Sequence, residues 1–327
     1  MAPQDLAELR LLGPGFNWMK IQGIIAVGVG GYDSPLPKGA KVSVMTYDPG
    51  KACMEGPQLV AEGKIHAAIT TPPWFARMAV AGKGYYSSPL PLSSLARFPH
   101  FDQLALAVRK EAGLASFGEF IEKKFPLRIS TAPPGHPAYW VVDQIFQAYG
   151  CRFEEVERWG GKVSWDERQR GRLEALRANL VDAVFDEALM TQRWKVVTDE
   201  FDFTFLPVEE QALRHCEEMG MKRGWIPRGR LRGVDRDIPT VDFAGWLLYC
   251  REDFPDPYAY YVVKAIDDQK KMIESVFQPG QGLTGGIVPA ELWRDTEIPL
   301  HPGAEKYYRE KGYMAESKRK EEIYERR

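Results

Sequence analysis

The residues of this 327-residue chain best suited to chemistry sit in short loops that follow apolar runs. The fullest case is residues 127–150, LRISTAPPGHPAYWVVDQIFQAYG. Leu127, Ile129 and Thr131 alternate as in a half-buried strand, which Pro133, Pro134 and Gly135 end. Pro137 suits the first turn of a helix, Val141, Ile145, Ala148 and Tyr149 form its apolar face, and Gly150 suits its end. A strand that runs through a tight loop into a helix leaves backbone N–H groups at the helix start, a favourable place for an anion. Gly135, His136 and Tyr139 are the candidate contacts there. A histidine side chain ordinarily titrates near neutral pH, so His136 with Asp48, or with Asp186 and Glu187, would supply acid–base chemistry; the simpler reading leaves it a hydrogen-bonding group.

Similar loops recur. Residues 9–12, 42–46 and 65–70 read as strands, followed by Gly15, Phe16, Asn17 and Trp18, by Thr46, Tyr47 and Asp48, and by Thr70, Thr71 and Trp74. Aromatic and polar groups gathered at strand ends either line a small-molecule pocket or cap the core. Residues 181–185 form another buried run ending in Asp186 and Glu187, which are ligand contacts or the acidic first turn of a helix over 188–197.

Other chemistries find little support. The glycines of residues 28–31 follow a helix, whereas a dinucleotide fingerprint needs them between strand and helix. There is no nucleophile elbow, Walker motif or HExxH. The histidines at 66, 100, 136, 215 and 301 are scattered, and Cys53, Cys151, Cys216 and Cys250 lack CxxC spacing and read as buried free thiols. Neither a metal nor a cofactor is expected. A net charge of −2 without a polybasic patch argues against nucleic acid and membrane surfaces, and no apolar run approaches the roughly 18 residues of a membrane span. The basic stretch at 222–237 reads as a solvated loop. No secretory signal is visible at the N-terminus. The expected compartment is extracytoplasmic if a leader has been removed and cytoplasmic if Met1 is the native start.

The elements that must position these residues alternate. Helices at 19–29, 53–62 and up to 81 separate the first strands; strands at 103–109, 127–131, 153–156, 181–185 and 203–207 alternate with helices at 116–124, 137–149, 165–179, 188–197 and 209–219. A strand at 243–250 returns the chain to its first part, a helix covers 256–277, and the charged tail 316–327 reads as a solvated helix. Alternating β and α predicts mainly parallel sheets that bind ligands beyond the carboxyl ends of their strands.

With this order in view, the chain resembles the TAXI group of solute-binding proteins, the receptors of TRAP transporters. The segment IPLHPGAEKYYREKG at 298–312 is similar to the family's closing segment, residues 132–150 to its APGSGT…LLEAYG stretch, and DIPTV at 237–241 to its approach to the returning strand. Residues 56–68 and 13–23 match the position of a second helix and of the glycine-led first loop. The resemblance implies a two-lobed periplasmic-binding-protein type II fold, α/β, each lobe a mainly parallel sheet flanked by helices, with a two-strand hinge. Lobe I would hold residues 1–105 and 243–327, lobe II residues 106–242, with the ligand cleft between them. It further implies a small organic anion or amino acid as ligand, held by Gly15–Trp18, Thr46–Asp48 and Thr70–Trp74 from one lobe and by Gly135–Tyr139 with Asp186 and Glu187 from the other. The partners implied are the membrane subunits of the transporter.

Here His136, Pro137 and Ala138 stand where the family offers hydroxyls, and residues 47–51 replace a serine-rich loop. An aromatic or larger ligand stacked on Phe16, Trp18, Trp74 or Tyr139 suits these residues better. The alternatives are a cytoplasmic enzyme on the same fold, for example a decarboxylase, and a soluble sensor.

Overall fold

The computed structural model describes residues 6–31, 33–165, 169–187, 191–277 and 283–314. The expected tail helix at 316–327 and the start of the expected helix at 188–197 lie outside these residues. Two compact units result, one within Met1–His100 and Gly245–Arg327, the other within Phe101–Ala244.

The first unit opens with β1 (Glu8–Leu12), α1 (Gly15–Val29), β2 (Lys41–Met45), α2 (Pro49–Ala61), β3 (Ala67–Thr70), α3 (Trp74–Ala81) and β4 (Leu92–Phe98). The second holds β5 (Ala105–Arg109), α4 (Phe117–Glu122), β6 (Arg128–Thr131), α5 (Pro137–Ala148), α6 (Phe153–Arg158), β7 (Lys162–Trp165), α7 (Gln169–Arg177), β8 (Ala183–Asp186), α8 (Gln192–Glu200), β9 (Phe203–Phe205), α9 (Glu210–Glu218) and a hairpin of β10 (Arg223–Ile226) and β11 (Ile238–Val241). The chain then completes the first unit with β12 (Trp246–Arg251), α10 (Asp256–Asp268), α11 (Lys270–Ser275) and α12 (Pro302–Glu310).

The first sheet runs β2-β1-β3-β12-β4 and the second β7-β6-β8-β5-β9. β1, β2 and β3 are parallel, and β12 is antiparallel to both β3 and β4. In the second sheet β6, β7 and β8 are parallel, and β5 is antiparallel to β8 and β9. Both sheets are therefore mixed, with one opposing strand placed fourth in the same order. That strand stands next to a chain crossing, after residue 244 for β12 and after residue 100 for β5. In the first unit Gly245 N–H donates to His100 O at 2.8 Å, and in the second Phe243 N–H donates to Asp102 O at 3.1 Å.

Apolar periodicity explains the packing. α1 turns Ile21, Ile25 and Val29 onto Leu9 and Leu11, and α10 adds Val262 and Ile266 to the same core. Each such side chain fully buried contributes about 1.5–3 kcal/mol. The HPGA turn is a helix start: His301 Nδ1 accepts from Gly303 N–H at 3.1 Å, and Pro302 fills the first turn. The Tyr308 hydroxyl then pins α12 to β4 by donating to Leu95 O at 2.9 Å. In the second unit Phe117, Phe146 and Phe185 pack together, and Trp194, Val197 and Phe205 join Ala107 and Val184.

Several expectations need correcting. Residues 153–156 are not a strand but the start of α6, because Phe153 and Val156 lie three apart on one buried face, and Glu155 Oε2 accepts the Arg152 N–H at 2.6 Å. The strand beside β6 is β7, and Trp165, expected to begin a helix, ends it. β4 was absent from the expected order; its Ser94 is buried because Oγ donates to Pro299 O at 3.2 Å. The expected helix at 256–277 breaks at Gln269. Within the basic stretch, Arg223 begins β10 and meets Glu210 at 2.9 Å and Glu217 at 3.0 Å. None of the four cysteines forms a disulfide, but Cys151, in the turn after α5, is only half-buried.

His66 couples this packing to pH. Its Nδ1 accepts from Arg10 N–H at 2.9 Å, and burial, then the Arg10 charge, lower its pKa to about 4. The unfolded imidazole takes its proton near the usual pKa of about 6.5, so stability falls as pH drops from there towards 4 and the loss is complete below. Urea midpoints at pH 7 and pH 4 should therefore differ less in His66→Gln than in the unsubstituted protein.

Candidate functional site

In the first unit the carboxyl ends of β1, β2 and β3 carry the expected loops. Gly13 N–H donates to Met45 O at 3.0 Å, and a Cβ at Gly13 would lie 2.6 Å from the Met19 backbone, so the chain turns back where only glycine fits. Gly15, at φ +69°, opens α1 and donates its N–H to Thr46 Oγ1 at 3.2 Å. No side chain caps α1, and no acidic residue lies in its first turn. Phe16 is 69% exposed, under Lys20 Nζ at 4.1 Å from the ring centroid. Asn17 and Trp18 are half-buried, and Trp18 meets Trp246 edge-on with centroids 5.6 Å apart.

Thr46, Tyr47 and Asp48 are exposed after β2. The Tyr47 hydroxyl lies 3.4 Å from the Glu55 carboxylate, and burial, reinforced by Glu55, pushes its pKa up to about 12. Asp48 caps α2 by accepting from Lys51 N–H at 3.1 Å. After β3 the side chains turn inward. Thr70 is buried and donates to Cys53 O at 2.8 Å, and Thr71 donates to Gly245 O at 3.2 Å. Trp74, expected as a stacking surface, is only 1% exposed and lies against Phe75, because the apolar face of α3 points into the core.

In the second unit Gly135, at φ +90°, makes the turn before α5. His136 caps that helix, its Nδ1 accepting from Ala138 N–H at 3.1 Å, so the ring is committed to the helix start. Tyr139 stacks on Phe153 at 5.3 Å and meets Trp165 edge-on at 5.3 Å; burial raises its pKa. The hydroxyls of Ser130 and Thr131 are buried at the end of β6 without a hydrogen-bond partner among the described residues. Asp186, expected to meet ligand, is buried in an ion pair with Arg172 of α7. Glu187 is half-buried, and its carbonyl accepts from Trp194 Nε1 at 3.0 Å. Arg172, Val184, Arg193, Trp194 and Val197 line a small open recess.

The structure thus joins Gly15 to Thr46 and places Phe16, Asn17 and Trp18 on one helical turn; it withdraws Thr70, Trp74 and Asp186 into the interior. Residues missed in the sequence are Trp165, Arg172, His100 and Trp246. Trp246 was legible only through strand direction: β12 runs against β3, so its first residue, not its last, reaches the carboxyl edge. Among the described residues no group of three or more His, Cys, Asp or Glu forms a metal site, and no helix is long and apolar enough to cross a membrane.

Comparison with solved structures gives a TctC solute-binding protein from Polaromonas, 13% identical, with 94% of this chain and 98% of that one covered at a TM-score of 0.47. MatC from Rhodopseudomonas palustris with bound malate is 13% identical, with 84% and 89% covered at 0.44. The alkanesulfonate-binding protein SsuA from Xanthomonas axonopodis pv. citri bound to MOPS is 12% identical, with 98% and 95% covered at 0.39. No curated protein is matched by sequence. The sequence model of the NMT1-like family, by contrast, matches residues 25–312, from within α1 to just beyond α12. The chain belongs to the NMT1-like family.

Proposed function

We propose that this protein is the solute-binding receptor of a TRAP-type (TAXI) transporter and captures a small anionic or aromatic organic solute by hinge closure. The observation that carries this reading is the repeated sheet order, which gives each unit its own set of loops at the carboxyl ends of three parallel strands. Gly15–Trp18, Thr46–Asp48 and Thr71 supply the contacts of the first unit, and Gly135, His136, Tyr139 and Glu187 those of the second. Lobe closure is the motion such receptors use, with the two chain crossings as the hinge. The transporter's membrane subunits are the proposed partners, and the extracytoplasmic space the proposed compartment.

Native mass spectrometry of the purified protein, followed by denaturation and identification of what is released, tests this. The expected result is one unmodified organic acid in one-to-one ratio. Two retained compounds that differ by carbon dioxide would overturn it in favour of an enzyme on the same fold.

A further inference from the structure

We propose that the indole N–H groups of Trp18 and Trp246 receive the carboxylate of the solute. This deepens the receptor reading and rests on it. An indole Nε1 is a donor only. Both Nε1 atoms are buried, and neither has a hydrogen-bond partner among the described residues. A buried donor left without an acceptor is costly, so two such donors in touching rings, with centroids 5.6 Å apart, call for an acceptor brought from outside.

Their place in the fold says which acceptor. Trp246 is 1% exposed and opens β12, next to the Leu247–Thr70 pair at the carboxyl edge of β3. Trp18 lies in the first turn of α1, at the positive end of the helix dipole, where the N-cap residue supplies no side-chain cap and no acidic residue stands. Elsewhere Asp48 caps α2 with a negative charge and His136 caps α5, while α3, which no side chain caps either, opens with the buried Trp74. His100 stacks on Trp246 at 4.5 Å and Phe277 packs on it at 5.6 Å, which fixes the indole before any ligand arrives. Lys20 Nζ, 5.6 Å from the Phe277 ring and 4.1 Å from that of Phe16, adds a cation to the same cluster. Two donors, a helix start without an acid and a lysine match the two oxygens and the charge of a carboxylate. A neutral amide offers one oxygen and turns its own N–H groups towards donors.

The test is the indole region of a ¹⁵N–¹H correlation spectrum of the full chain, which holds nine tryptophans. Malate, glutamate and benzoate, and the neutral amide of each, are added in turn with parallel calorimetry. Trp18→Phe and Trp246→Phe assign the two signals and keep a ring in each place. A carboxylate that binds should move both signals downfield and leave that of exposed Trp225 unmoved. Each Phe variant should weaken its binding about tenfold to a hundredfold, the range for a hydrogen bond to a charged group. The amides should do neither. Should Trp246→Phe fail to fold, half-buried Trp18→Phe still decides the matter. Binding by a carboxylate with both signals unmoved and unchanged affinity in the Phe variants overturns the inference and leaves the receptor reading standing. No heat from any carboxylate also overturns it, while the receptor reading is judged separately by the solute retained in native mass spectrometry.

Discussion

Arg172→Leu should lower the unfolding free energy of the second unit by about 3–5 kcal/mol in urea denaturation. The Arg172 and Asp186 side chains are 5% and 6% exposed, so removing the guanidinium leaves a carboxylate out of water with no counter-charge. The Arg177–Glu200 pair, at 2.7 Å, lies at the surface instead: its side chains are 52% and 34% exposed, and pairs of that kind contribute about 0–1 kcal/mol. Adding Asp186→Asn to Arg172→Leu should recover much of the loss, because the remaining amide carries no charge. A single Arg172→Leu variant as stable as the unsubstituted protein would show that water reaches Asp186, and the ion pair would then be no part of the interior.

The second large effect concerns Trp74. Its side chain is 1% exposed, among the largest wholly enclosed in the molecule, and truncation to alanine should cost about 3–5 kcal/mol. Solute affinity of the folded Trp74→Ala protein, read by calorimetry below its melting range, should stay unchanged. A stable variant with weakened binding would return Trp74 to the ligand surface and remove it from the core.

These two residues also show what could be read from the chain and what could not. The β-α alternation was plain because short strands of four or five residues and helices with one apolar face differ in period, so β1, β3 and β6 and the helices after them fell near their observed places. The loops at their ends followed directly. Burial of a particular side chain did not. WFARMAVA has apolar residues on every turn, so the sequence leaves open whether Trp74 points into the core or along the edge. Arg172 sits in a run of arginines and glutamates that looks solvated, and only the position of Asp186 on β8 explains its burial. The short FEEVER run holds only two apolar residues, too few to fix a period by themselves, and their spacing of three together with the capping contact between Glu155 and the Arg152 backbone makes it a helix. Ser93 and Ser94 hid β4 by interrupting its apolar run.

The two sheets differ in when their opposing strand arrives. In the second unit β5 comes first in sequence, and every strand of that sheet lies between residues 105 and 205. In the first unit β12 comes last, and it must slot between β3 and β4 after the whole of Phe101–Ala244 has been made. Until then β3 and β4 have open edges on the sides that β12 will cover, and closing that gap costs the entropy of a long loop. A folded second unit shortens the effective loop by holding its own ends together through the Phe243–Asp102 bond. During synthesis the inserted unit is thus the natural nucleus, and the discontinuous one, although it begins the chain, is the last to acquire its centre.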